Sequence, residues 1–313
     1  MACEPLAAWG GFIISIMILL IIDLVIFHKK NHTISIKEAL TWTAVWFSIA
    51  LLFNLGILYF QGKEQAVFFL TGYLIEKALS VDNLFVMLVI FTAFKIAPQY
   101  QHKVLFWGIT TAIILRGIVI GIGAALISKF SWILYLLGAF TIYLGIKMFF
   151  KDEENFDPHD SFIVKITKKV FHVSRKKDTC CFFVKEDKKY GITLLFIALV
   201  VIEFTDVAFA FDSIPAIFAI TTDPFIVFTS NIFAILGLRS LYFVIARTHE
   251  LFHYLNIGLG IILIFIGFKL FAEHWINIPT WLSLIIVLGV IITSMALSIL
   301  HKKKKDIVVN IKK

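Results

Sequence analysis

The sequence predicts an all-α, polytopic membrane protein of about nine transmembrane helices, six of them arranged as two inverted three-helix repeats. Three observations lead there. Of the residues 60% are hydrophobic and 16% charged, with mean hydropathy +0.92, whereas soluble domains run about 45–50% apolar and about 25% charged. Apolar runs of about 20 residues, the length of a helix that crosses a bilayer, recur along the chain. A pattern in the first half returns in the second. Long runs exclude a barrel of alternating strands of about ten residues.

In chain order the runs cover roughly residues 7–27, 39–60, 66–94, 104–127, 131–150, 190–220, 225–246, 253–271 and 280–300. The first is not expected to be a cleaved signal peptide: MACEP carries no base, and the positive charges follow the apolar run rather than precede it. The 33 Phe and seven Trp suit lipid-facing and interfacial surfaces. Three cysteines, Cys3, Cys180 and Cys181, offer neither a disulfide framework nor a CxxC motif. The adjacent Cys180–Cys181 pair is read as reduced thiols in a loop.

The formal net charge of +8 could suggest nucleic acid, but its distribution points elsewhere. Lys29, Lys30 and Lys37 follow the first run, Lys95 and Lys103 the third, Arg247 the seventh and Lys302–Lys305 the ninth. The stretch 151–189 holds about ten basic residues. Every second connection is basic, which by the positive-inside rule places the N-terminus outside and the C-terminus in the cytoplasm of a multi-pass cell-membrane protein.

LGAFTIYLGIKMF (137–149) aligns without gaps to LGIILIFIGFKLF (259–271). Upstream, ILRG around Arg116 matches GLRS around Arg239, and EKALSVDN (76–83) matches DVAFAFDS (206–213). Glu76 thus falls on Asp206, and Asp82 on Asp212. The organisation follows: two N-terminal helices in 1–65, repeat A in 66–150, a basic cytoplasmic loop in 151–189, repeat B in 190–271, and a last helix with a basic tail in 272–313. An odd number of spans per unit inverts the second unit relative to the first, as in many secondary transporters, whose sites lie between repeats near the midplane.

Within these runs lie Glu76, Asp82, Glu203, Asp206 and Asp212. A charge at a helix centre costs about 2.5–3.5 kcal/mol, so five unpaired carboxylates would cost on the order of 13–17 kcal/mol. That rivals the net stability of a domain, about 5–15 kcal/mol. A cation, a basic side chain or bound protons must offset it. Pairing with Arg116, Arg239 and Lys77 is the structural reading. Clustering on one helix of each repeat, with Asn83 and Ser80 in one and Ser213 and Thr205 in the other as further oxygen donors, favours a cation site. Lys147 and Lys269, near span ends, are expected to snorkel to the interface.

Glu203 and Asp206 share a helix face. Asp206 and Asp212, like Glu76 and Asp82, stand six apart, about 9 Å along an unbroken helix. Convergence on one ion requires an interrupted helix, and Pro215, which would free the carbonyl of Phe211, is the expected breaker. The donors are all oxygens, which suits Mg²⁺, Ca²⁺ or Mn²⁺ rather than Zn²⁺ or Cu. No P-loop marks an ATP site, and nothing suggests an enzyme or a bound cofactor. Export of a divalent ion against a negative-inside potential costs about 4.6 kcal/mol per 100 mV, from about 2.3 per charge, so proton antiport is the expected coupling.

At EKALSVDNLFVMLVIF and EFTDVAFAFDSIPAIFAITTDPFIVFTSNIFAILGLRSLYF the chain resembles the TerC (tellurium-resistance) membrane protein family. It looks most like the branch that includes the alkaline-inducible manganese exporter, over about residues 66 to 271. The resemblance implies Mn²⁺ efflux, in some members linked to metal loading of exported enzymes, with Glu76, Asp82, Asp206 and Asp212 on the metal path. The metal set read from the residues adds Asn83, Glu203 and Ser213, with Arg116 and Arg239 as ion-pairing groups. The tellurite label does not fix the substrate. Expected partners are a divalent ion and the lipid bilayer, not nucleic acid; no protein partner is legible. Two other functions stay open: a scaffold acting through the basic loop, and an oxyanion carrier using the arginines.

Overall fold

A computed structural model describes residues 6–28, 35–130, 132–149, 162–171, 173–174, 181–186, 189–248, 254–272 and 279–311. The helices are α1 (Leu6–His28), α2 (Ile36–Phe60), α3 (Lys63–Ala93), α4 (Pro98–Lys129), α5 (Ile133–Phe149), α6 (Phe162–Val170), α7 (Leu194–Phe218), α8 (Pro224–Leu236), α9 (Leu238–Thr248), α10 (Leu255–Ala272) and α11 (Thr280–Ile311). A short antiparallel hairpin, β1 (Phe183–Glu186) with β2 (Lys189–Ile192), precedes α7. The molecule is all-α in its membrane part, as its composition demands.

Local chemistry sets several boundaries. Ser35 caps α2 by accepting from the Glu38 amide at 3.2 Å, half of an S-x-x-E capping box. Pro98 opens α4 and Pro224 opens α8 at positions where no intrahelical N–H is needed. Asp223 caps α8 through the Phe225 amide at 2.9 Å.

Two expectations about continuity are corrected. Pro215 does not interrupt α7, which runs through it to Phe218. Placed in the last turn, the proline removes a bond where the helix is about to end, and the carbonyl of Pro215 itself takes the capping amide of Ala219 at 3.0 Å. The break falls instead in the run 225–246, where α8 and α9 meet at Gly237 with a bend of 45°. Among the described residues, four helices are long and apolar enough to cross a membrane, and this bent pair, taken as one span, gives a fifth. The described parts of α1, α5 and α10 are shorter, and α3, although 31 residues long, carries Glu76, Lys77 and Asp82 in its middle.

Helices α3, α7 and α8 form the interior, and every residue of α8 from Ile232 to Leu236 is buried. Trp9, Phe12, Phe53, Phe225, Phe228 and Phe233 close one end with ring centroids 4.7 to 6.0 Å apart. The outer helices turn Leu52, Ile118, Ile122, Ile285 and Ile292 outward, each more than half exposed. So continuous an apolar girdle fits lipid, not water.

Helices α5 and α10 pack antiparallel through glycines. A Cβ on Gly145 would stand 2.7 Å from the carbonyl oxygen of Gly260 and 2.8 Å from Ile264. One on Gly267 would stand 2.6 Å from the carbonyl of Gly138 and 2.7 Å from Ile142. Under the sequence alignment Gly138, Ile142 and Gly145 correspond to Gly260, Ile264 and Gly267, so each contact is the counterpart of the other. Lys147 is exposed as expected for a snorkelling lysine. Lys269, its counterpart, is only 5% exposed, because α10 sits between α5 and α11 while α5 has an open side.

Candidate functional site: a buried charge network

Arg116, in the middle of α4, is fully buried and organises the centre. Its Nε donates to Asp206 Oδ2 at 3.2 Å and its Nη2 to Asp206 Oδ1 at 2.9 Å. This two-pronged grip is what the planar guanidinium fork supplies and an ammonium cannot. Its Nη1 donates to Glu76 Oε1 and to Asn231 Oδ1 at 3.0 Å. Asn83 Nδ2 approaches Asp206 Oδ1 at 3.5 Å, at the limit of a hydrogen bond. One side chain from α4 therefore ties α3, α7 and α8 together, with Glu76 and Asp206 both under 5% exposed.

The network is not saturated. Glu76 Oε2 and Asn231 Nδ2 are buried with no hydrogen-bond partner among the described residues. Two carboxyl groups share one guanidinium. Glu76 Oε2, the one carboxylate oxygen of the pair not gripped by arginine, is the one a cation could reach first.

The other residues singled out in the sequence are placed as follows. Asp82 and Asn83 are buried on α3, 8% and 4% exposed. Asp212 lies on α7, but its side chain is outside the described residues. Ser213 is 3% exposed, with a hydroxyl that has no partner among the described residues. Glu203, one turn from Asp206, faces α4 instead of the network. Its Oε1 lies 3.7 Å from where a Cβ on Gly108 would be, and neither of its oxygens is in hydrogen-bond geometry among the described residues. Arg239 is 2% exposed near the α8–α9 break. Ser80 and Thr205 donate to carbonyls of their own helices, Glu76 at 2.6 Å and Val201 at 2.7 Å, so their protons are spent locally. Among the described residues no three of His, Cys, Asp and Glu come together as a ready metal cluster.

One feature was missed, and one expectation is corrected. Asn231 is fully buried; the only hint is a Ser-Asn pair inside the apolar run PFIVFTSNIFAIL. Lys77, expected with Arg116 and Arg239 to pair with the carboxylates, forms no ion pair with one among the described residues. Its Nζ donates to the carbonyl of Ala234 at 2.9 Å, at the C-terminal end of α8, where a cation offsets the helix dipole. Gly237 makes this possible: a Cβ there would sit 2.9 Å from Nζ and 3.1 Å from Trp46. A short groove beside the network is lined by Asn83, Met87, Ile90, Ile202, Thr205 and Asp206. It runs from Asp206 toward the C-terminal end of α3 and the N-terminal end of α7.

The integral membrane protein TerC family matches residues 61–306. A membrane protein of Myxococcus xanthus is 44% identical over 295 residues, covering 94% of this chain and 92% of its own. A membrane protein of Rickettsia felis is 46% identical over 299 residues, covering 96% of this chain and 99% of its own. In Escherichia coli (strain K12) the relative is named as a candidate membrane-bound redox modulator, Alx, and is 42% identical over 299 residues, or 93% of each chain. No solved structure matches this chain. With a family match across most of the chain and relatives of this identity over nearly its whole length, the chain belongs to the TerC family of integral membrane proteins.

Proposed function

We propose that this protein is a secondary transporter that exports divalent cations, Mn²⁺ foremost, in exchange for protons. The observation that carries the reading is the buried network in which Arg116 joins Glu76 of one half to Asp206 of the other. These two positions correspond in the repeat alignment, and a site shared between halves is where alternating access needs it. The reciprocal glycine contacts of α5 and α10 support the inverted pairing of the halves, and the nine apolar runs support nine spans.

Arg116 gives the exchange a physical form. A bare pair of carboxylates carries two negative charges, the complement of one divalent ion. In the arrangement described, the tethered guanidinium fills part of that role. An arriving Mn²⁺ takes Glu76 and Asp206 oxygens, with Asn83 and Asn231 as neutral oxygen donors, and Arg116 withdraws. Because α3 and α7 run antiparallel, Asp82 and Asp212, each about 9 Å along its own helix from Glu76 and Asp206, extend the path toward opposite faces, with Ser213 next to Asp212 in sequence. The groove lined by Thr205 and Met87 lies beside Asp206 on the side of the basic loop, where the path would open. Glu203 is the flanking carboxyl, near enough to feel the charge on Asp206.

The same observation favours one other reading. Arg116 already neutralises much of its partners' charge, which is what a purely structural network in a membrane scaffold would do. An oxyanion carrier is disfavoured, because the Arg116 fork is taken by carboxylates. The redox role in the relative's name finds no thiol in the described core; the described cysteine, Cys181, is exposed in the loop.

Purified protein in liposomes holding a Mn²⁺-sensitive dye separates the readings. Wild type should carry Mn²⁺ and dissipate an imposed proton gradient in step. Asp206→Asn and Asp82→Asn, which remove charge and keep size, should lose at least tenfold in rate while remaining folded. Wild-type rates in both variants would overturn the transport site and leave the scaffold.

A further inference from the structure

The helix α6 divides its surface three ways. Val164 and Thr167 are buried, 0% and 5% exposed, against α7. Phe162, Ile166 and Val170 recur every four residues as one stripe and are 75%, 44% and 66% exposed. Lys165, Lys168 and Lys169 occupy the remaining side and are exposed. A nine-residue helix in contact only with water would have no reason to expose such a stripe next to its lysines.

Its position supplies the reason. The chain beyond α6 is pinned to the entry of α7: the Ser174 amide donates to the carbonyl of Ile192 at 2.9 Å, and the Thr193 hydroxyl to that of Cys181 at 2.8 Å. Phe171 packs edge-on and Phe183 tilted against Phe196 in the first turn of α7, centroids 5.9 and 4.9 Å away. Lys103, near the start of α4, stands 5.5 Å over the Phe182 ring. So α6 lies at the level where α4 and α7 begin, the boundary between hydrocarbon and water. The charge pattern puts this boundary on the cytoplasmic face, whose leaflet is anionic.

We propose that α6 is an interfacial helix that docks on anionic lipid, its Phe162–Ile166–Val170 stripe at the acyl boundary and Lys165, Lys168 and Lys169 on the headgroup phosphates. The partner is the bilayer surface, recognised by apolar area and charge together. Because α6 packs on α7, which carries Asp206, lipid charge has a mechanical route to the buried network. The docking claim itself does not depend on what that network transports.

The test is a nitroxide on Ile166→Cys in the full chain with Cys3, Cys180 and Cys181 replaced by Ser. The protein is reconstituted into phosphatidylcholine vesicles with or without phosphatidylglycerol, and collision with oxygen is compared with collision with a water-soluble nickel complex. With phosphatidylglycerol, the label should be reached by oxygen and shielded from nickel. Removing a lysine by Lys168→Gln or Lys169→Gln should reduce the docked-to-undocked ratio by about fivefold each. A label open to nickel in both bilayers would overturn the proposal. So would shielding from both reagents, which would mean a protein surface covers the stripe. Shielding from nickel that is indifferent to phosphatidylglycerol and to both lysine variants would overturn the anionic-lipid partner.

Discussion

Arg116 is where a single side chain does most for the molecule. Four hydrogen bonds to three residues on three other helices end on one guanidinium. Truncation by Arg116→Ala would strand Glu76 and Asp206 as buried charges, and breaking such a pair costs about 3–5 kcal/mol. A large fall in thermal midpoint in detergent, with poor yield, is the expected result. Arg116→Lys keeps the charge but loses the fork, so it should land between alanine and wild type. Neutralising all three together, with Glu76→Gln, Arg116→Met and Asp206→Asn, should recover much of the stability, because the uncompensated charges disappear. That triple variant should still carry no Mn²⁺. Transport by it at the wild-type rate would show that the network is structural.

At the scale of the helices, α5 and α10 give the sharpest prediction. Their backbones touch at glycines, so Gly145→Ala and Gly267→Ala should each destabilise by about 1–3 kcal/mol through overpacking. The two should cost about the same, as reciprocal contacts demand. Gly121→Ala, on α4 with nothing within 4 Å of the added carbon, should be neutral or slightly stabilising. Unequal losses at Gly145 and Gly267 in a melting assay would break the correspondence of the halves. Those glycines were legible because a repeated Gly-x₆-Gly spacing survives in an alignment. Glu76, Asp206 and Arg116 were legible because charge in an apolar run has few meanings. The break was not. A proline is a visible breaker, but Pro215 stands where its helix is already ending. The real bend falls at Gly237, where Lys77 and Trp46 from distant segments leave no room for a Cβ. Asn231 stayed hidden for a related reason: its value lies in one arginine on another helix, and a lone amide leaves no periodic trace.

For the whole molecule, orientation is the property on which the transport reading stands. If the halves are inverted, α3 must enter the membrane from the side at which α7 leaves it. Exposed residues mark all four ends: Glu64 and Lys95 for α3, Lys168 and Thr222 for α7. Basic residues cluster at Lys95 and around Lys168, so the positive-inside rule puts those two ends in the cytoplasm and Glu64 and Thr222 outside. Single cysteines at these positions, in a background without Cys3, Cys180 and Cys181, should divide cleanly with a membrane-impermeant maleimide. Glu64→Cys and Thr222→Cys should react in intact cells; Lys95→Cys and Lys168→Cys should react only after the membrane is opened. Should Glu64→Cys and Lys168→Cys label from the same side, α3 and α7 would enter in parallel. Glu76 and Asp206 would then no longer be equivalent about an axis in the membrane plane, and their shared grip on Arg116 would have to be explained as packing alone.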